Sequence, residues 1–286
     1  MRPAATALVV ALLAMTGCAS QSAPPPSLSA EVFETRFDPP LGQLHLRVLN
    51  ESSQSVRVLS ADLDSTAYPA STGFTRPQTV PSGAARDLPV PLGAPACPDG
   101  DEASALAQTT VRVVVESPDG SSQELSLPVL DTTILAATLE RDCRGDALAT
   151  HATVAPPPAL TWTPGAGAPA TLEFSVSPTD ATGSATINSV GPTTLLGIVD
   201  AAGARATPLT LDVVIDAETA PFVLPVRIVP ARCDPHAIAE DKQGTLIPFD
   251  IATSEGESGQ VRIAVSDEVR AQIYAFVTDF CAATGG

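Results

Sequence analysis

Lysine is almost missing from this chain of 286 residues: Lys242 stands alone beside fourteen arginines. Aromatic side chains are scarce as well, at eight phenylalanines, two tyrosines and one tryptophan. The basic deficit sets 15 cationic side chains against 32 acidic ones, a net charge of -17, so neither a phosphate backbone nor an anionic lipid surface attracts the folded chain. Nucleic acid is thereby excluded as a partner. Too few rings are present to build the stacked platforms that hold sugars or bases, and Trp162 is expected to pack where a second folded unit begins. Signatures of catalysis are missing too: there is no G-x-S-x-G, no H-E-x-x-H, no phosphate loop and no nucleotide fingerprint. Nor is there a C-x-x-C or C-x2-C pair, which removes the usual redox and zinc motifs. No enzymatic activity, cofactor or metal is expected.

What is present begins with a leader. Arg2 precedes the apolar run Ala4 to Met15, which suits a secretory signal over residues 1–17 and is too short to cross a ~30 Å hydrocarbon core as a helix. The order Met15-Thr16-Gly17-Cys18 resembles the lipobox of bacterial lipoproteins. That resemblance implies that the Cys18 thiol takes a diacylglyceryl group and becomes the mature N-terminus, anchoring the protein on the extracytoplasmic face of the cell membrane; two acyl chains hold where one is marginal. Residues 18–30, with Pro24-Pro25-Pro26, then read as a tether of roughly 35 Å at ~3.1 Å per residue. The preference for arginine over lysine, taken with the lipobox, points to a GC-rich, actinobacterial source.

The remainder repeats itself. At an offset of 136 residues, Leu88-Pro89-Val90 falls on Leu224-Pro225-Val226 and Cys97 on Cys233, while Val111, Val113 and Val115 fall on Ile247, Phe249 and Ile251. The turn at Pro118-Asp119-Gly120 falls on Ser254-Glu255-Gly256, and two residues later in phase Cys143 meets Cys281. Earlier, Leu44, Leu46 and Val48 match Leu172, Phe174 and Val176. Strand phase, turn position and both cysteines recurring together indicate a tandem duplication, with one unit over 31–145, a Pro-rich spacer over 146–158 and a second unit over 159–286.

Within each copy the dominant period is two, as in Leu44-His45-Leu46-Arg47-Val48, which predicts half-buried strands of an antiparallel, immunoglobulin-like β-sandwich. Each copy then ends in a short helix. Ser266-Asp267-Glu268 supplies a cap and first-turn acids ahead of Val269, Ile273, Phe276 and Phe280, and Asp131 opens the matching stretch with Ile134, Leu135 and Leu139. Four cysteines in an exported chain allow three pairings, and duplication selects Cys97 with Cys143 and Cys233 with Cys281.

The densest polar cluster lies at 232–242. Asp234 as N-cap, Pro235 behind it and Gly244 beyond the end predict a short helix with His236 and Glu240 on one face. Asp234, His236, Glu240, Asp241 and Lys242 form a candidate recognition patch. His45, outward on its strand, and His151, in the spacer, are expected to be solvated. Residues 233–245, with the ending Phe276-Val277-Thr278-Asp279-Phe280-Cys281, resemble stretches of exported actinobacterial proteins to which no activity attaches. The sequence thus predicts a lipid-anchored, extracytoplasmic protein that binds or positions an envelope protein or polymer through its loops, with a small-molecule or ion receptor feeding a transporter as the alternative and an enzyme of unrecognised geometry as the third reading.

Overall fold

A computed structural model describes residues 25–97, 102–116, 120–234, 236, 238–239, 241 and 243–285. The leader, Cys18 and the tether as far as residue 24, Pro118 and Asp119 of the expected turn, Pro235 of the expected helix, and Glu240 and Lys242 of the patch lie outside the described residues.

Alternating apolar residues build the first sandwich. Its strands are β1 (Leu28–Phe33), β2 (Gln43–Asn50), β3 (Val56–Asp64), β4 (Gln78–Val80), β5 (Ala85–Pro91), β6 (Thr110–Glu116) and β7 (Ser122–Pro128). One antiparallel sheet runs β1-β2-β5 and the other β4-β3-β6-β7, a Greek-key, immunoglobulin-like arrangement with the fourth strand beside the third. Leu44, Leu46 and Leu88 from the first sheet meet Val58, Val111 and Val113 from the second in one buried cluster. β1 starts at Leu28, so the last residues assigned to the tether already pair with β2, Leu28 opposite Asn50. A short helix, α1 (Glu102–Leu106), precedes β6, and a long one, α2 (Thr133–His151), follows β7.

The second sandwich repeats this order with β8 (Ala152–Ala155), β9 (Leu160–Thr161), β10 (Ala170–Pro178), β11 (Ser184–Val190), β12 (Leu196–Val199), β13 (Arg205–Ala206), β14 (Leu209–Asp216), β15 (Phe222–Pro230), β16 (Leu246–Thr253), β17 (Ser258–Ala264) and a closing helix α3 (Asp267–Thr284). Its sheets run β13-β12-β15-β10-β8, with β9 also on β10, and β14-β11-β16-β17. Phe174 of one sheet meets Phe249 of the other edge to face at 5.0 Å, the geometry that aromatic quadrupoles favour. The added pair β12 and β13 is the main departure from the first copy, extending the sheet beside β15.

Both expected disulfides are formed. Cys97–Cys143 and Cys233–Cys281 each span a Cα separation of 5.5 Å and tie the segment after β5 to α2 and the segment after β15 to α3. In α3 the expected stripe is buried at Val269, Ile273 and Phe276, and Ser266 caps the helix by accepting from the Val269 N–H. In α2, Leu135 and Leu139 are fully buried, whereas Ile134 faces solvent.

Residues 146–158 are not the spacer the prolines suggested. α2 runs on to His151, and β8 follows at once, pairing with β10 from Ala152 opposite Pro178. The reason is local: apart from Gly145, nothing between Asp131 and Pro156 breaks a helix, and the alanines after it favour one. One helix therefore serves two cores, with Leu135 and Leu139 in the first cluster and Leu148 in the second. No helix among the described residues is long and apolar enough to cross a membrane.

Candidate functional site

The end of α2 locks the seam between the sandwiches. His151, expected to be solvated, is buried, and its Nε2 lies 2.8 Å from Glu255 Oε2 in the turn between β16 and β17. The Thr179 N–H donates to the His151 carbonyl at 2.9 Å, and Gly183 lets the β10–β11 turn come so close that a Cβ there would stand 2.9 Å from the imidazole. Hydrogen bonds from Ser254 and then His151 hold the Glu255 carboxyl below its usual range. About two turns earlier, Arg144 Nη1 donates to the Gln260 carbonyl at 3.2 Å, and it approaches over Gly259, which has φ 125°.

A second tie comes from the loop between β1 and β2, held from beneath by Asp38. This carboxylate is fully buried and accepts from Gln43 Nε2 at 2.7 Å, from the Thr35 N–H and from His45. An ionised carboxylate can only accept, so His45 donates from Nε2, at 3.1 Å. His45 is thus a partner of a buried acid and not a solvated strand residue. Burial opposes ionisation of Asp38, but the hydrogen bonds from Gln43 and Thr35 and the charge of His45 outweigh it and leave its pKa below the ordinary 3.8. A depressed carboxyl stabilises the fold above its unfolded pKa and loses that contribution as pH falls through the folded value. Asp38→Asn should therefore lower the urea midpoint at pH 7 by an amount corresponding to about 1–2 kcal/mol. The gap from wild type should narrow below pH 3.8 in paired denaturation curves.

Held this way, the loop carries Arg36, Pro39 and Pro40 to the second sandwich, where Gln243 Nε2 donates to the Arg36 carbonyl at 3.1 Å. Gln243 in turn accepts from Arg262 Nη1 at 3.1 Å, and Gln260 accepts from Arg262 Nε at 3.0 Å. Arg262 and Gln260 sit two residues apart, on one face of β17. An open cleft of about 330 Å³ lies on one side of Arg262, between Pro39, Pro40, Leu246 and the α2 face bearing Asp142, Gly145 and Asp146. A second cleft, of about 360 Å³, runs between Pro192, Thr193 and Pro248. Arg262 and Leu246 line both.

The expected patch at 234–242 is arranged differently. Asp234 Oδ1 accepts from the His236 N–H at 3.0 Å, and Asp241 Oδ1 accepts from the Gly244 N–H, so these side chains close turns where a helix was expected. Such short segments nucleate a helix poorly, and Asp side chains offer their own backbone a competing partner. Asp241 points inward: its Oδ2 takes the Tyr274 hydroxyl at 3.0 Å, and burial together with that bond pushes the Tyr274 pKa up to about 12. His236 is exposed, and Asp234 pairs with Arg232 at 3.0 Å on the surface. Trp162 packs against the second core, as expected. Among the described residues no three His, Cys, Asp or Glu side chains gather as a metal site would require.

The signal for the seam was faint in the sequence: a loop glutamine, and a glutamine and an arginine on the outward face of a strand, carry no motif. Comparison with protein-family models finds none that matches, and comparison with curated proteins finds no match either. Among solved structures, the chain is similar to the YadV chaperone, at 12% identity and a TM-score of 0.23 over 83% of this chain and 98% of that one. It is also similar to the CupB2 chaperone of Pseudomonas aeruginosa, at 11% identity and 0.20 over 79% and 93%. The CBD12 segment of CALX1.2 matches at 11% identity and 0.24 over 79% of each chain. At such TM-scores none of these likenesses bears on what this chain does.

Proposed function

We propose that this protein is a non-catalytic binding or positioning component of the cell envelope, anchored through a lipidated Cys18 on the extracytoplasmic face of the membrane. The observation that carries the reading is the seam: an open cleft between the β1–β2 loop, α2 and β17 meets, at Arg262, a second cleft in the second sandwich, and one helix, α2, packs on both cores. Neither sandwich alone has the first of these clefts. Two disulfides suit an oxidising compartment. The tether carries the folded part clear of the bilayer, and the net charge of -17 keeps it off anionic lipid.

The test is made in intact cells with a photo-crosslinking residue at Thr193 or Gln260. A discrete adduct with an envelope protein or polymer, lost when Cys18→Ala releases the chain from the membrane, is the expected result. Adducts that are absent, or that match those from a position on the far sheet, would count against the proposal. A receptor for a small molecule draws on cleft volumes of about 330 and 360 Å³, which fall in the range of ligand pockets. A ligand that raised the melting temperature would favour that alternative.

A further inference from the structure

Resting on the reading of this chain as a binding protein, we propose that the seam holds an extended peptide segment in which an acidic residue meets Arg262 and a neighbouring basic residue meets Asp146. The guanidinium carries the argument. Its Nε and Nη1 donate to two neutral oxygens, Gln260 Oε1 and Gln243 Oε1, which fix its plane without cancelling its charge. Five donors in a planar fork leave three for a ligand, in the geometry that takes a carboxylate through two parallel bonds.

The arginines of the α2 wall are already neutralised, and the Arg36 guanidinium lies over the Phe37 ring. Arg141 pairs with Glu34 at 2.8 Å and Asp142 at 3.2 Å, and Arg144 with Glu140 at 2.6 Å. Arg262 has no carboxylate partner among the described residues, in a chain where acids outnumber bases 32 to 15. An arginine kept uncompensated amid such an excess, and braced by two amides, is a preorganised anion site.

The rest of the ligand follows from the walls. Arg262 lines both clefts, so a ligand held there has room to extend into each, which suits an anion within a chain better than a free carboxyl terminus. No aromatic ring lines either cleft, which disfavours a sugar or a base and suits a peptide lying on proline, leucine and threonine. A purely acidic ligand would be repelled by the net charge of -17. Asp146, in the α2 wall, accepts from Thr150 only at its carbonyl; its carboxylate has no hydrogen-bond partner among the described residues and supplies the complementary attraction for a base.

The experiment titrates the intact, oxidised chain with fluorescent decapeptides that carry one Glu and one Lys at varied spacing in a Ser/Pro/Leu background, read by polarisation at low salt. Binding of at least one spacing is expected. Changing its Glu to Gln, or the protein by Arg262→Gln, should each weaken binding about tenfold, and making both changes should cost little more than one. Asp146→Asn should couple in the same way to loss of the Lys. Both positions project into solvent-open clefts, and unchanged melting curves would confirm that the variants fold. Equal affinity for the Glu and Gln peptides, or an Arg262→Gln variant that binds as wild type does, would overturn the proposal. Seam crosslinks in cells alongside such a result would remove this ligand class and leave the binding role standing; loss of both would remove the two together.

Discussion

Replacing Cys233 and Cys281 by serine is expected to lower the unfolding free energy of the chain by about 4 kcal/mol and its melting temperature by about 10 °C. The bond closes a separation of 48 residues, and most of its contribution comes from restricting the unfolded chain, which loses the entropy of a long loop. Cys97–Cys143 spans 46, so on that ground alone the two should be equal. Their native surroundings separate them. Cys281 is buried at 9% exposure in the second core and Cys233 packs against the same core, so two serines there place hydroxyls among Phe276, Val277 and their neighbours. Cys97 is exposed, and Cys143 is only half-buried on the flank of α2. The Cys97/Cys143 double variant should accordingly lose less, and graded reductant should open that bond first, because a thiolate reaches it more readily. Urea and thermal denaturation of the two double-serine variants, with thiol counting during reduction, checks both statements. Equal losses would mean that loop entropy alone sets the contribution.

The cysteine pairing could be read from the sequence because it depends on backbone phase, and phase is what an alternating pattern records. Leu44-His45-Leu46 fixes which face of β2 is inside, and the recurrence of that phase at Leu172 and Phe174 fixes the same for β10. Helix α3 was legible for the same reason, since Ser266 caps it and Val269, Ile273 and Phe276 keep a helical spacing. What the pattern does not record is where outward residues meet each other. His45 and His151 look alike as polar residues off a core stripe. One is nonetheless held by Asp38 across a loop, and the other is covered by the turn that carries Glu255. Arg262, Gln243 and Pro39 come together only once α2 has set the angle between the sandwiches. The excursion through β12 and β13 was equally silent, because four-residue and two-residue strands contain too few alternations to declare a face.

Prolines misled at the spacer, and the physical reason carries the second large expectation. Pro156-Pro157-Pro158 does end regular structure, but only after α2 has passed from one core into the other. Gly145 lies between the residues that pack each way, Leu139 on the first cluster and Leu148 on the second. Proline at this position would remove the N–H that continues the helix and press its ring against the Arg141 carbonyl, a cost of about 3 kcal/mol or more in a helix interior. The damage would not stay in the helix. With the axis broken, Leu148 and His151 can no longer hold the second sandwich in register, and Arg144 leaves the Gln260 carbonyl. Gly145→Pro is therefore expected to split one cooperative melt into two and to enlarge the radius of gyration in small-angle scattering. Gly145→Ala supplies the opposing control. A Cβ at this site meets nothing within 4 Å, so alanine should stabilise the chain by about 0.5–1 kcal/mol through helix propensity alone. If proline left the melt single and the scattering unchanged, the sandwiches would be held together by surface contacts alone and α2 would not be the strut that joins them.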